Sequence, residues 1–451
     1  MKGLGFLSGG GICFVVAQFL AGCGGHELRT IQARTALDAG QPRQAIEYIN
    51  HELGVGADKD MPADLAGDNA LLVLDRGTIQ QSLTQFALSE RDFEASDKAI
   101  DMLDLAHNAG DSIGEYIFSG SSSRYVAPPY EKLLINTLNM INYLETRDLS
   151  GAKVEARRLG VMQRYVKDEL KEPNNSILGL GGFLAGFVYE KSGNADEALR
   201  WYDDALAFAG YGSLSTAIRE LASRGSYKSP RIAKVISATE GVVDSPSAED
   251  GGDVICIVGY GRVPHKIPKR VPIGLALTMV ADNIEPTNRA AANRLAAKGL
   301  VTWINYPAMA PEQGGWGVPS CTIDGQAIPM TEAVNVSAEV IAQWRKIEGK
   351  IILSAITRLV TRYAVGEGIE QAGNKSPLAL IASLGAQATL TALDTPDTRS
   401  WETLPARVAV GRVRVPPGRH TVTASARSAT RTQPIDVARG GWVAVSLQAL
   451  R

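Results

Sequence analysis

A chain of 451 residues has room for two to three domains of about 150 residues each. Apolar residues make up 45% and charged residues 21%, which excludes disorder throughout and implies a buried core. Lys and Arg number 46 against 48 Asp and Glu, so the chain lacks the basic excess of a general nucleic-acid binder. Its 4 Cys and 5 His are too few and too scattered for a metal-rich class, and neither a metal nor a cofactor is expected.

In chain order, Met1-Lys2 opens a short n-region, and residues 12–20 are apolar. The stretch is too short and too glycine-rich for a comfortable membrane span. It runs into Leu20-Ala21-Gly22-Cys23-Gly24-Gly25, which resembles a bacterial lipoprotein signal with its lipobox. The resemblance implies cleavage between Gly22 and Cys23, a diacylglycerol on the Cys23 thiol, and attachment to a membrane through acyl chains. An ordinary secretory signal with an incidental cysteine is the alternative. Residues 1–22 then form the signal peptide and 23–27 a lipidated tether. Gly24, where inner-membrane retention uses Asp, favours the periplasmic face of the outer membrane. Export would leave Cys256 and Cys321 in an oxidising compartment. They are read either as a disulfide or as two small buried thiols.

Residues 28–224 read as a helical domain of hairpins. The clearest unit spans 179–210, where Gly186, Tyr189, Ala198, Tyr202 and Ala205 stand at tetratricopeptide-repeat offsets. Small residues at 186, 198 and 205 let two antiparallel helices approach, and the tyrosines fill the gaps between hairpins. Ser192-Gly193-Asn194 supplies the turn. Weaker copies are expected around Ala45, Ala95 and Ala152, with a Ser-, Gly- and Pro-rich loop at 119–129. The spacing exceeds a strict repeat, so the expectation is an irregular tetratricopeptide-like α-solenoid with a concave surface for a peptide or protein. Gly179-Leu180-Gly181-Gly182 follows no strand and is not read as a phosphate loop.

Residues 225–252, rich in Gly, Ser, Pro and Asp, are assigned as a linker. Residues 253–451 are expected to form an α+β domain, making the whole chain α+β. Residues 253–261 read as a buried strand, after which Pro264, Pro268 and Pro272 argue against regular structure. Gly259, Tyr260, Gly261, Lys266, Lys269 and Arg270 are the candidates for a binding loop facing an anionic partner. A short Ala-rich helix is expected over 288–298 and a strand over 300–306. Residues 339–365 predict a long helix with Ile341, Trp344, Ile347, Ile351, Ile352 and Ile356 on one face. Strands are predicted over 407–415, 420–426 and 442–447, as a small β-sandwich or an antiparallel sheet packed on the long helix. Trp401, with Leu404-Pro405, is expected to plug that sheet onto the helix; the alternative is an exposed aromatic recognition point.

Several motifs stand together: Pro129-Tyr130-Glu131-Lys132, Gly259-Tyr260-Gly261-Arg262-Val263-Pro264-His265-Lys266, and Asp397-Thr398-Arg399-Ser400-Trp401-Glu402 ahead of Pro416-Pro417-Gly418. They resemble an uncharacterised family of proteobacterial lipoproteins with tetratricopeptide-like helices, over nearly the whole mature chain. The resemblance implies an envelope-assembly setting and transfers no catalytic residue. Neither a Gly-x-Ser-x-Gly elbow nor a His-Glu-x-x-His motif occurs in the sequence. The expected function is a non-catalytic lipoprotein scaffold that binds an envelope protein partner. Alternatives are a peptidoglycan-acting hydrolase and an accessory of a secretion or surface-fibre system.

Overall fold

A computed structural model describes residues 25–102, 125–171, 175–238, 250–281, 284, 286–297, 303–314, 317–372 and 396–451. The proposed signal, Gly22 and Cys23 lie outside the described residues, as do positions 119–124 of the expected loop and 239–249 of the expected linker.

The architecture is α+β, a helical region followed by β-sheets and a long helix. Among the described residues the helical region holds four hairpins. They are α1 (His26–Asp38) with α2 (Pro42–Leu53), α3 (Asn69–Ser82) with α4 (Phe86–Ala99), α5 (Pro129–Glu145) with α6 (Leu149–Asp168), and α7 (Ile177–Lys191) with α8 (Ala195–Ala205). One turn recurs in all four. Gly40, Thr84, Arg147 and Gly193 each take a left-handed backbone, at φ 73°, 60°, 59° and 77°. The next residue donates its amide to the carbonyl five positions back: Gln41 to Ala36, Gln85 to Gln80, Asp148 to Tyr143 and Asn194 to Tyr189. That is the Schellman closure, which satisfies the last carbonyls of the first helix. The same residue then caps the second helix, its carbonyl accepting from the amides of Ala45, Ser89, Ala152 and Ala198.

This geometry corrects the expected repeat register. The counterpart of Ala45, Ala152 and Ala198 in the second hairpin is Ser89, not Ala95. All four are fully buried, whereas Ala95 is half-buried. Ser89 is tolerated because its hydroxyl accepts from Asn142 Nδ2 at 3.0 Å. A minimal parallel pair, β1 (Asp101–Met102) and β2 (Val126–Ala127), lies between the second and third hairpins.

Two short helices, α9 (Ser215–Ala222) and α10 (Pro230–Ser237), follow the fourth hairpin. The start of the expected linker is therefore structured. Asp196 holds the amides of Ser226 and Tyr227 at 2.6 and 2.8 Å, and Arg231 on α10 pairs with Asp203 at 2.9 Å.

The first sheet contains β3 (Gly252–Tyr260), β8 (Thr331–Asn335), β9 (Arg407–Val415) and β12 (Trp442–Ala449), in the order β12-β3-β9-β8. The second contains β6 (Ser320–Ile323), β7 (Gln326–Ile328), β10 (Gly418–Ala426) and β11 (Ala429–Val437), in the order β11-β10-β6-β7. The expectation of antiparallel strands needs one correction: β12 runs parallel to β3. Side chains alternate across a strand. Val254, Cys256 and Val258 of β3 thus meet Val422, Ala424 and Ile435 of the second sheet, while Ile255 and Ile257 join the core of the helical region. This explains why β3 is apolar on both faces. The first sheet is a middle layer, with helices on one side and a β-sandwich partner on the other. Cys256 and Cys321 form a disulfide that ties the two sheets. Closing a 65-residue separation contributes about 4 kcal/mol in the chain-entropy account.

The long helix α13 (Val336–Ala372) does not carry that sandwich. Its Trp344, Ile347, Ile351, Ile352 and Ile356 pack on β4 (Lys266–Pro272), β5 (Trp303–Met309), α11 (Ile273–Met279) and α12 (Pro286–Ala297). β4 pairs antiparallel with β5 despite Pro268 and Pro272, with Pro268 opposite Pro307. A two-stranded ribbon leaves one edge of each strand without a ladder, where a missing N–H is harmless. Residues 26 and 27, expected in a free tether, begin α1, and His26 is buried.

Candidate functional site

The repeat residues occupy the places their sizes suggest. A Cβ on Gly186 would lie 2.4 Å from the Tyr202 ring, so glycine is what lets α7 approach α8. Ala198 and Ala205 are fully buried. Tyr189 faces the preceding hairpin, with Lys153 of α6 5.8 Å from its ring centre. Gly179, Gly181 and Gly182 are buried helix positions. A Cβ there would meet the carbonyl oxygen of Ala333, Leu159 and the carbonyl oxygen of Trp201. The glycine run is thus a packing face.

A charged cluster behind this hairpin joins it to the first sheet. Arg412 on β9 is buried and grips Glu190 with both terminal nitrogens at 2.6 and 2.7 Å, and its Nε reaches Asp253 at 2.9 Å. The Tyr202 hydroxyl donates to Glu190 at 2.7 Å, and Lys191 pairs with both acids. Burial alone would raise the Glu190 carboxyl, but the Arg412 charge outweighs it and holds the group well below the usual carboxylate range. Asp253 is lowered in the same way. The arrangement neutralises buried charge, as a structural staple does.

The expected binding loop is not one surface. Gly259 and Tyr260 end β3, and Gly261 turns the chain at φ 69°. Lys266 is buried under Trp344, 5.9 Å from its ring, and burial pulls its ammonium down to about 8. Lys269 and Arg270 are exposed on β4, with Arg270 5.2 Å from the ring centre of Trp303. The six residues therefore split between a strand exit, a buried lysine and an exposed ribbon.

Trp401 plugs the helical region, not the long helix. It is fully buried, its Nε1 donates to Thr78 at 3.0 Å, and its ring stands edge-on to Phe93 at 5.6 Å. Its neighbours carry a second buried polar cluster. His26 Nδ1 lies 3.3 Å from Asp68, and Nε2 lies 3.9 Å from Asp75. Asp75 accepts from the amide and hydroxyl of Thr403 at 3.0 and 2.8 Å, and Glu402 pairs with Arg34 at 2.6 Å. Burial first, then the Glu402 charge, pushes the Asp75 carboxyl up to about 7. Burial opposes charge on His26, but Asp68, Glu402 and Asp75 together raise its pKa. Sequence reading missed this cluster because its members lie up to 377 positions apart, from His26 to Thr403. A cavity of about 80 Å³ beside it is bounded by Arg34, Asp38, Arg262, His265 and Glu402.

The larger opening is a cleft of about 650 Å³ between the helical region and the sheets. Its floor comes from the ends of β11 and β12, and its walls from the α1–α2 and α3–α4 turns. Arg427, Arg431 and Arg451 line it with Ser82, Thr84 and Ser428, and none of the described residues lining it is acidic. Arg431 is committed to Glu145. Thr84 and Arg427 both hold left-handed backbones here, at φ 60° and 54°. Among the described residues, no group of three His, Cys, Asp or Glu side chains is placed to hold a metal, and no helix is long and apolar enough to cross a membrane. Comparison with known proteins finds no matching family, no matching curated protein and no matching solved structure.

Proposed function

We propose that this protein is a lipid-anchored scaffold at the periplasmic face of the bacterial outer membrane, with no catalytic role, holding an envelope protein partner. In this reading the four hairpins are an irregular tetratricopeptide-like array, and the partner is gripped where that array meets the sheets. The lipobox at residues 20–23 and the resemblance to lipoproteins support the location, and the disulfide between Cys256 and Cys321 suits an oxidising compartment.

The cleft of about 650 Å³ carries the partner reading. Two strand ends with Arg427 and Arg451, and no acidic lining residue among those described, suit an extended acidic segment. Anisotropy titration of the purified protein with labelled extended peptides tests it. An acidic peptide should bind in a salt-sensitive manner, a basic peptide of equal length should not, and Arg427→Glu with Arg451→Glu should weaken binding at least tenfold. Equal binding of both peptides, or no effect of charge reversal, would contradict the assignment.

A further inference from the structure

The first helix starts very near the proposed acylation site. Cys23 lies three positions before His26, the first residue of α1. Gly25 caps the helix, its carbonyl accepting from the Leu28 amide at 2.9 Å. Three residue steps of extended chain span at most about 11 Å, so acyl chains on Cys23 leave the body only a very short stalk.

The solvent face of α1 is unusual at that end. Leu28 is 57% exposed and Ile31 44% exposed, on one side of the helix at i, i+3 spacing. The other exposed residues of this face are the uncharged Gln32 and Thr35 and, at the far end of the helix, Asp38, which pairs with Arg262. Nearby charges are turned away and paired: Glu27 with Arg34, and Arg29 with Glu52 and Asp68. His26, Thr30, Ala33 and Leu37 bury the opposite face, so α1 cannot roll without breaking its seat.

We propose that the first turns of α1 lie in the membrane interface, with Leu28 and Ile31 against the acyl-chain boundary, so that the body rests on the bilayer in one orientation. This proposal rests on the lipid-anchor reading. Amphipathic helices bind interfaces by burying such an apolar face, and a neighbouring acyl anchor supplies the second signal that stable attachment needs.

The test uses the full-length acylated protein in vesicles of phosphatidylethanolamine and phosphatidylglycerol. With Cys13→Ser in every variant, Cys256 and Cys321 joined and Cys23 acylated or replaced, Leu28→Cys, Ile31→Cys and the control Val318→Cys (Val318 is 72% exposed) each offer one thiol for a bimane label. Labels at 28 and 31 should show blue-shifted emission and several-fold lower iodide quenching on vesicles than in the unacylated Cys23→Ser background. The label at 318 should not change. If the acylated protein floats with vesicles but labels at 28 and 31 are quenched like that at 318, the proposal is overturned while the anchor stands. If mass spectrometry finds no acyl group and the protein does not float, the anchor reading itself fails, and the proposal falls with it.

Discussion

Replacing Gly186 with alanine should destabilise the protein by about 1.5–5 kcal/mol, against the ordinary preference of a helix for alanine. The new methyl would sit 2.4 Å from Tyr202 Cδ1, 2.5 Å from Cε1 and 3.0 Å from Cγ, where contacts relax only at about 3.5–4.0 Å. The ring must therefore move by about 1 Å. It is fully buried, and its hydroxyl is fixed at 2.7 Å from Glu190 and 3.2 Å from Arg412. Overpacking costs about 1–3 kcal/mol. Weakening a hydrogen bond to a charged group adds about 1.5–3 kcal/mol, and helix propensity returns about 1 kcal/mol. Gly349, mid-way along α13, is the control, because nothing lies within 4 Å of a Cβ there. Gly349→Ala should stabilise by about 0.5–1 kcal/mol. Urea unfolding at fixed pH reads both variants as opposite shifts in midpoint at unchanged slope. A Gly186→Ala variant as stable as Gly349→Ala would refute the close approach of α7 and α8.

Three further outcomes are expected. Arg412→Met leaves the buried carboxylates of Glu190 and Asp253 sharing Lys191 without the guanidinium bridge, so denaturant unfolding should show a loss of about 3–5 kcal/mol; a loss under about 1 kcal/mol would contradict the staple. Thr84→Gly relieves a β-branched residue from a left-handed turn and should gain about 1 kcal/mol, whereas Gly193→Ala should lose a similar amount. Asp75 has its folded pKa raised from 3.8 to about 7, so the stability it lends is full below about pH 4 and is lost as pH rises through about 7. His26 is also raised, so its contribution is lost in the same direction, above its ordinary 6.5. Stability should therefore fall between about pH 4 and pH 7 through Asp75, and further above 6.5 through His26, and Asp75→Asn, which keeps an acceptor for Thr403, should flatten the fall below about pH 7. Parallel profiles for the two proteins would exclude Asp75 as the source.

The fourth hairpin was legible because glycine and alanine mark both its turn and its close contact. The second was legible only in outline. Its turn uses Thr84 where the first and fourth use glycine, and its small residue is Ser89, so the alanine pattern pointed six positions too far, to Ala95. β3 announced itself through unbroken apolar residues, but β11 did not, since Thr430, Arg431, Thr432 and Gln433 form a polar edge strand. β4 was hidden by its prolines, which a ribbon edge tolerates. The charged stretch around Trp401 reads locally as surface. It is buried because Asp75, Glu131 and Arg34, far away in sequence, supply its partners. The cleft was invisible for the same reason, since its walls and floor come from opposite ends of the chain. Local chemistry writes turns, strands and contacts between neighbouring helices; complementarity between distant polar groups leaves no periodic trace.

A membrane-tethered scaffold that holds an envelope protein in its cleft, as proposed, must touch that protein from cleft residues in the cell. In-cell photocrosslinking from Ser428, a cleft residue, tests it most directly, with Cys23→Ser and a crosslinker at exposed Val318 as controls. One envelope protein should be joined through an acidic segment, from position 428 and not from 318, and be lost or sharply reduced in the Cys23→Ser background. Identical products from both positions, or an undiminished yield without Cys23, would contradict it.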